Sequence, residues 1–296
     1  MNKVIVILGP TGVGKTKLSV SLANMLNGEI INADSTQVYK DLDIATAKVT
    51  EEEKQNIPHH LFDIKNIDED YTVYDYQIDA RNKIDEISKK GKIPILVGGT
   101  GLYIKACIYN YKFNQENTKK DFHNYTDDEL YNLLISIDPN TEIHKNNRKR
   151  IERALNYYYS TGLVPSSKEK TDKMIYDCYI VGLTTDRDKL YDIINNRVDS
   201  MVKNGLLDEA LKIYNSNIRT KAVLTPIGYK ELFPYFENKE TLETCIDKIK
   251  QNSRKYAKRQ YTFFNHQMDV NWYNVDYDNF SNTINEVYED IKKILD

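Results

Sequence analysis

Three cysteines are present, Cys107, Cys178 and Cys245, and each stands alone. With no Cys-x-x-Cys pair and no histidine cluster nearby, a disulfide framework and a zinc ribbon are both excluded, and a reducing compartment is expected. The histidines, His59-His60 and the single His123, His144 and His266, carry no metal-ligand spacing, so they read as structural or surface residues. No apolar run approaches the roughly 20 residues that span a bilayer, and no membrane partner is expected. A strand begins within a few residues of Met1, which is expected to leave no room for a signal or transit peptide. The expected location is therefore cytoplasmic. The net charge of −3 rules out a chain that is polycationic as a whole, so any affinity for a polyanion has to come from local clusters. There is no internal repeat and no low-complexity linker, and nothing in the composition demands a dimer; a monomer is expected.

What is present fits a large α/β protein. The 296 residues suit a core with a smaller inserted domain. Buried-strand patterns at 3–8, 28–32 and 92–97 alternate with helical periodicity up to Leu26 and over about 72–90. Residues 58–64 read as a short strand or edge segment. This alternation predicts a parallel sheet with helices on both faces. After Ile108 the texture changes. Residues 109–125 are polar and irregular; Thr126-Asp127-Asp128-Glu129 is a helix start for 126–137; a second helix runs over about 146–159 and closes at Thr161-Gly162. A strand at 177–183 returns to the sheet, followed by helices at about 187–203, 206–216, 228–236 and 240–264. The expected organisation is a first core segment 1–108, a helical insertion 109–175 and a second, mostly helical core segment 176–296.

The sharpest motif is Gly9-Pro10-Thr11-Gly12-Val13-Gly14-Lys15-Thr16, between an apolar strand and a periodic helix. That context marks a phosphate-binding loop: its backbone N–H groups and the helix N-terminus face the anion, Lys15 adds a point charge, and the Thr16 hydroxyl suits Mg²⁺. A second strand ends at Asp34-Ser35-Thr36-Gln37. A carboxylate there could hold Mg²⁺, act as a general base or cap the next turn. A third strand ends in Gly98-Gly99-Thr100, either a close-approach site for a ligand or a plain turn. All three loops sit at the carboxyl ends of predicted parallel strands, where ligands gather. Two basic clusters remain: Lys145, Arg148, Lys149, Arg150 and Arg153 at the start of one helix, and Lys248, Lys250, Arg254, Lys255, Lys258 and Arg259 along the last long one. Two such runs on an acidic chain suggest a polyanion longer than a nucleotide.

Taken together, GPTGVGKT at 9–16, INADSTQVYKDLDIATAK at 31–48, PHHLFDI at 58–64, GKIPILVGGTGLYIKA at 91–106, NNRKRIERAL at 146–155, IGYKEL at 227–232 and SRKYAKRQYTFF at 253–264 resemble the tRNA dimethylallyltransferase family. The resemblance covers nearly the whole chain. It implies a P-loop NTPase-like fold and transfer of a dimethylallyl group from dimethylallyl diphosphate to the exocyclic amine of an adenosine on the 3′ side of the anticodon. The phosphate loop, residues 9 to 16, would then hold the diphosphate as a leaving group, with Lys15, Thr16 and Mg²⁺ stabilising its charge, and Asp34 matches the family's general base. Ser35, Thr36, Gln37 and Thr100 match positions that contact the flipped nucleotide. Lys149, Arg150, Ile151, Glu152 and Arg153 match the stretch that grips the anticodon stem-loop, and Arg254, Lys258 and Arg259 add contacts from the last helix. The chain departs from the family at Asn147, where Asp is frequent, and at Thr225, where an arginine or glutamine is common. Arg197 and Arg219 are the candidates to replace the arginine missing there. A small-molecule kinase, a free-adenylate isopentenyltransferase and a non-catalytic RNA-binding P-loop switch are the competing readings; none of the three uses both basic clusters as well as the base.

Overall fold

The computed structural model describes residues 2–113, 120–167 and 173–295. The chain folds as two compact units, Met1–Tyr109 with Met174–Asp296, and Asn110–Lys173. Part of the polar 109–125 stretch, residues 114–119, lies outside the described residues.

The large unit is built on one six-stranded sheet, every pairing of which is parallel. Its first half runs β1 (Lys3–Leu8), α1 (Lys15–Leu26), β2 (Gly28–Asn32), α2 (Glu51–Lys54), β3 (His59–His60), α3 (Val73–Lys89), β4 (Ile93–Gly98) and α4 (Gly101–Ile108). The small unit carries α5 (Asp127–Ile137) and α6 (Arg148–Thr161). The large unit then resumes with β5 (Asp177–Thr184), α7 (Arg187–Lys203), α8 (Leu206–Asn215), α9 (Lys221–Leu224), α10 (Phe233–Phe236), α11 (Leu242–Gln267), β6 (Asn271–Asn274) and α12 (Phe280–Leu295). The strand order is β3-β2-β4-β1-β5-β6. Helices cover the sheet, the P-loop NTPase-like architecture expected from the alternation of elements.

The centre of the sheet explains the apolar runs. β1 lies between β4 and β5, and Val4 to Leu8 are buried on both faces, as a parallel strand requires. One core, including Leu8, Tyr76, Ile84 and Phe264, fills one side; the other, including Ile7, Leu18, Leu22 and Ile291, fills the opposite side. Each such fully buried aliphatic side chain contributes about 1.5–3 kcal/mol. α3 starts at a capping box in which the Thr72 hydroxyl accepts from the Asp75 N–H and the Asp75 carboxylate accepts from the Thr72 N–H.

Three local expectations change. Residues 58–64 keep only His59–His60 as strand, because Leu61 and Asp63 take positive φ and turn the chain away from the sheet edge. The helix expected over 228–236 shrinks to Phe233–Phe236. Gly228, at φ +133, packs where a Cβ would come within 3.0 Å of the Ala45 Cβ, so helical geometry starts only after that contact. β6 was not foreseen: four residues of Asn-Trp-Tyr-Asn add an edge strand beside β5.

The small unit has its own core of Phe122, Leu130, Leu134, Ile151, Ala154 and Leu155. Thr126 and Glu129 form the capping box that starts α5, and the Asn147 side chain accepts from the Arg150 N–H to start α6. Gly162, at φ +70, ends α6 in the left-handed conformation that a helix stop favours.

Candidate active site

β1, β2 and β4 end at the same edge of the sheet. The loops that follow them, 9–16, 33–37 and 98–101, line one cavity of about 590 Å³ together with α7 and α11. The small unit has a hollow of similar size, about 560 Å³, lined by Lys120, Arg148, Glu152 and others. There Arg148 is already spent on Asp127, Glu152 and the carbonyls of Phe122 and Tyr125. The large-unit cavity is the candidate site because its charged groups converge with capacity left over.

The phosphate loop turns tightly out of β1. Gly9 has φ +143, and a Cβ there would meet the Leu183 carbonyl oxygen at 2.7 Å. Val13 is fully buried and pins the loop to the core. Gly14 caps α1 with no side-chain hydrogen bond, so the first N–H groups of the helix keep their capacity for an anion. Thr11, Gly12, Gly14, Lys15 and Thr16 face the cavity. Gly9, Pro10 and Val13, assigned with them to the diphosphate, do not line it. Pro10 has no N–H to offer, and its carbonyl accepts from Lys15 Nζ at 2.7 Å; these three shape the loop.

Lys15 Nζ also donates to the Gly9 carbonyl at 3.1 Å. Burial, with the Arg197 guanidinium, pushes its ammonium down to about 7, and Asp34 opposes the shift. Burial also pulls Arg197 below its ordinary value, again against Asp34. Lys17, Arg259 and Glu53 line the same cavity, so four basic side chains face two carboxylates there, an arrangement that favours a polyanion. Of the two candidate arginines, Arg197 of α7 lines this cavity. Arg219 does not: its guanidinium bonds the carbonyls of Ile218 and Tyr214 and lies 4.6 Å over the Phe233 ring.

Asp34 is held by its neighbours. Its Oδ1 accepts from the Thr36 N–H at 2.9 Å and the Thr36 hydroxyl at 2.6 Å. Its own N–H donates to Asn32 Oδ1 at 2.8 Å, and Asn32, buried at the end of β2, donates in turn to the Asp34 and Leu61 carbonyls. Oδ2 accepts no hydrogen bond among the described residues and is left to act as a base or a metal ligand. Thr100 Oγ1 accepts from the Ser35 N–H at 3.0 Å, which ties the β4 turn to the Asp34 loop. Gln37 Nε2 donates to the carbonyls of Thr46 and Ala47, so its amide nitrogen supports the cavity wall.

Sequence reasoning assigned no role to three residues that shape this site. Asn32 is one; a buried polar residue ending an apolar strand was its only signal. Glu209 of α8 is the second. Its carboxylate accepts from the N–H groups of Asp43, Ile44 and Ala45 and from the Tyr229 hydroxyl, fixing the loop that presents Ala45, Thr46 and Ala47. Gln260 of α11 is the third, buried between two site loops.

Among the described residues no group of three or more His, Cys, Asp or Glu side chains could hold a metal. Thr16 and Asp34 nevertheless line the same cavity, which fits Mg²⁺, a cation that keeps several waters and takes substrate phosphate oxygens beside one or two protein ligands.

The basic clusters divide. On α6, Lys149, Arg150 and Arg153 are exposed. Ile151, assigned to the RNA-contacting stretch, is fully buried in the small unit's core, and Glu152 bonds Arg148 at 2.7 Å; neither side chain is free to meet a ligand. On α11, Lys258 and Arg259 are exposed, and Arg259 reaches the cavity. Arg254 is instead engaged with α7, bonding Asn195 Oδ1 at 2.5 Å, just as Lys250 pairs with Asp199.

The IPP transferase family model matches residues 37–267. The chain belongs to the tRNA dimethylallyltransferase family. It is 47% identical to the tRNA dimethylallyltransferase of Anoxybacillus flavithermus, over 96% of this chain and 94% of that one. The tRNA isopentenylpyrophosphate transferase structure from Bacillus halodurans is 43% identical and superposes with TM-score 0.78, covering 99% and 96% of the two chains. A eukaryotic dimethylallyltransferase acting on tRNA superposes with TM-score 0.80 at 34% identity, over 92% of this chain and 74% of that one. The family is one of prenyl-transferring enzymes, and the two solved structures, at 34% and 43% identity, share the chain's fold over most of its length. Among the described residues no helix is long and apolar enough to cross a membrane.

Proposed function

We propose that this chain transfers a dimethylallyl group from dimethylallyl diphosphate to the N6 amine of the adenosine 3′-adjacent to the anticodon of tRNA, and that Asp34 is the general base. The observation that carries this reading is the convergence, in one cavity, of the phosphate loop and Arg197 with a carboxylate whose Oδ2 is unpaired. A family-level match supports the same reaction.

In this reading the diphosphate sits on the backbone N–H groups of Gly12, Gly14, Lys15 and Thr16, with Lys15 and Arg197 neutralising it. A bound Mg²⁺, held in part by Thr16, would supply further stabilisation of the leaving diphosphate. The C–O bond to the allylic carbon breaks, and its electron pair leaves on the diphosphate. The adenine nitrogen forms the new C–N bond. That nitrogen is a poor nucleophile because its lone pair is delocalised into the ring, and it becomes acidic as it alkylates. Its proton passes to Asp34 Oδ2 as the bond forms. The base has to leave its stack to reach the cavity, where Ser35, Thr36, Gln37 and Thr100 are the proposed contacts. Lys149, Arg150 and Arg153 on the small unit, with Lys258 and Arg259, are the proposed grip on the RNA backbone.

The test is prenyl transfer from radiolabelled dimethylallyl diphosphate, with Mg²⁺, to an unmodified anticodon stem-loop carrying 3′-side adenosines and, in parallel, to AMP. Label in the stem-loop alone is expected. Label in AMP alone would move the protein to free-nucleotide chemistry. Label in neither would overturn the proposal and direct attention to ATP consumption.

A further inference from the structure

Gln260 is a polar side chain on an otherwise apolar inner face of α11, and it is only 5% exposed. Burying a carboxamide is costly unless its polar atoms are paired. Both ends are paired here, each to the backbone of a different site loop. Oε1 accepts from the Thr11 N–H of the phosphate loop at 3.3 Å. Nε2 donates to the Gly99 carbonyl at 3.0 Å. The fit at Gly99 is close: a Cβ on that residue would come within 2.3 Å of Gln260 Nε2. A glycine is therefore required there for the carboxamide to reach.

The connection continues from Gly99. Thr100, the next residue, accepts from the Ser35 N–H and donates to the Ser35 hydroxyl at 3.2 Å. Ser35 follows Asp34 directly. Tyr256, one turn before Gln260, interacts through side-chain hydrogen bonds with both Thr100 and Gln260. A continuous set of bonds thus joins the loop around Thr11 to the loop around Asp34, and its central link comes from a third element. That element is itself braced, since Arg254 and Lys250 bond Asn195 and Asp199 of α7, the helix that carries Arg197.

Substitution at carbon needs nucleophile, carbon and leaving oxygen in line, and small misplacements cost rate far more than binding. Resting on the transfer reaction proposed above, we infer that Gln260 is a positioning residue that sets the separation between the loop holding the leaving diphosphate and the loop carrying Asp34. It acts through Thr11, Gly99 and Thr100 rather than on the reacting atoms.

The test compares wild type with Gln260→Met, which keeps the length and volume but neither bond, and Gln260→Glu, which keeps the acceptor toward Thr11 but, when ionised, turns a carboxylate on the Gly99 carbonyl. Transfer to the stem-loop gives kcat and KM, direct binding gives Kd for each substrate, and thermal melting reports folding. Gln260→Met is expected to lower kcat tenfold or more, with both Kd values within threefold of wild type and an unchanged melting temperature. Gln260→Glu is expected to be at least as slow at neutral pH, and to regain rate relative to wild type as the pH falls and a protonated carboxyl again donates to Gly99. An unchanged kcat in Gln260→Met, beside an active wild type, would overturn this inference and leave the reaction standing. A loss of kcat that merely tracks lost folding or lost binding would overturn it too. A wild type that transfers no label would remove the reaction and the inference together.

Discussion

Lys15 provides a prediction whose size follows from the site. Its ammonium sits near a pKa of about 7 in the free protein, lowered by burial and by Arg197 against the pull of Asp34. At pH 8 only about one molecule in eleven then carries the charge, against nearly all for an ordinary lysine. A diphosphate seated on the loop strongly favours the charged form. Binding at pH 8 should therefore take up close to one proton, about 0.9 per site. The ligand itself does not contribute, since a phosphate ester completes its last ionisation near pH 6. Calorimetry of dimethylallyl diphosphate binding in buffers of different ionisation enthalpy reads this uptake directly. Lys15→Met should abolish the uptake and weaken binding at least tenfold. An enthalpy that does not depend on the buffer would refute the argument, because it would mean that Lys15 is already charged before the ligand arrives. The sign for stability follows from the same shift. A lysine whose folded pKa lies below its unfolded value destabilises the fold in full below pH 7, and the penalty fades as the pH rises from about 7 toward 10.5. Lys15→Met should thus melt at higher temperature than wild type at pH 7. The full shift corresponds to roughly 5 kcal/mol, but Lys15 keeps some solvent contact and two carbonyl partners, so a gain of about 1–2 kcal/mol is the expected size.

Asp34→Asn keeps an oxygen for the two Thr36 bonds and loses only the proton acceptor. Transfer should fall about 10²–10⁴-fold, with RNA affinity and melting temperature little changed; an equal loss of RNA binding would speak against a base acting in the transition state. Arg197→Gln should raise KM for the diphosphate substrate about tenfold or more, while Arg219→Gln, at a side chain occupied elsewhere, should leave KM unchanged in the same assay. Replacing Arg150 and Arg153 with Gln should weaken stem-loop binding and flatten its salt dependence by about 1.4–1.8 in log–log slope; titrations at several salt concentrations would expose an unchanged slope.

Local chemistry carried much of this protein into view before any fold was known. A β-run, three glycines, a lysine and a threonine close together are enough to mark strand, anion loop and helix, because the apolar run, the glycine spacing and the helix start are all local patterns, even though β1 pairs with the distant β4 and β5. The cap at Thr126 and the stop at Gly162 are local in the same way. Periodicity separated the sheet-forming segments from the helices around them, and a parallel sheet then brings the three loops to one edge. Even so, the four-residue edge strand β6 was missed, since a strand that short has too little periodicity to register and forms only by pairing with β5.

Tertiary packing decided which of several chemically equal side chains is available. Arg197 and Arg219 are indistinguishable as sequence, but α7 delivers one to the cavity while Tyr214 and Phe233 hold the other. Ile151 and Arg153 lie two residues apart on α6, and a helix turns one into the core and the other to solvent. Arg254 reads as part of a basic stripe until α7 presents Asn195 to it. Asn32, Glu209 and Gln260 work through partners up to 249 residues away, and no local pattern encodes such a partner. Charge, loop chemistry and periodicity are properties of neighbours along the chain, so the sequence alone determined them; which groups are spent on the fold and which remain free for a ligand depends on distant segments meeting, and only the folded chain decided that.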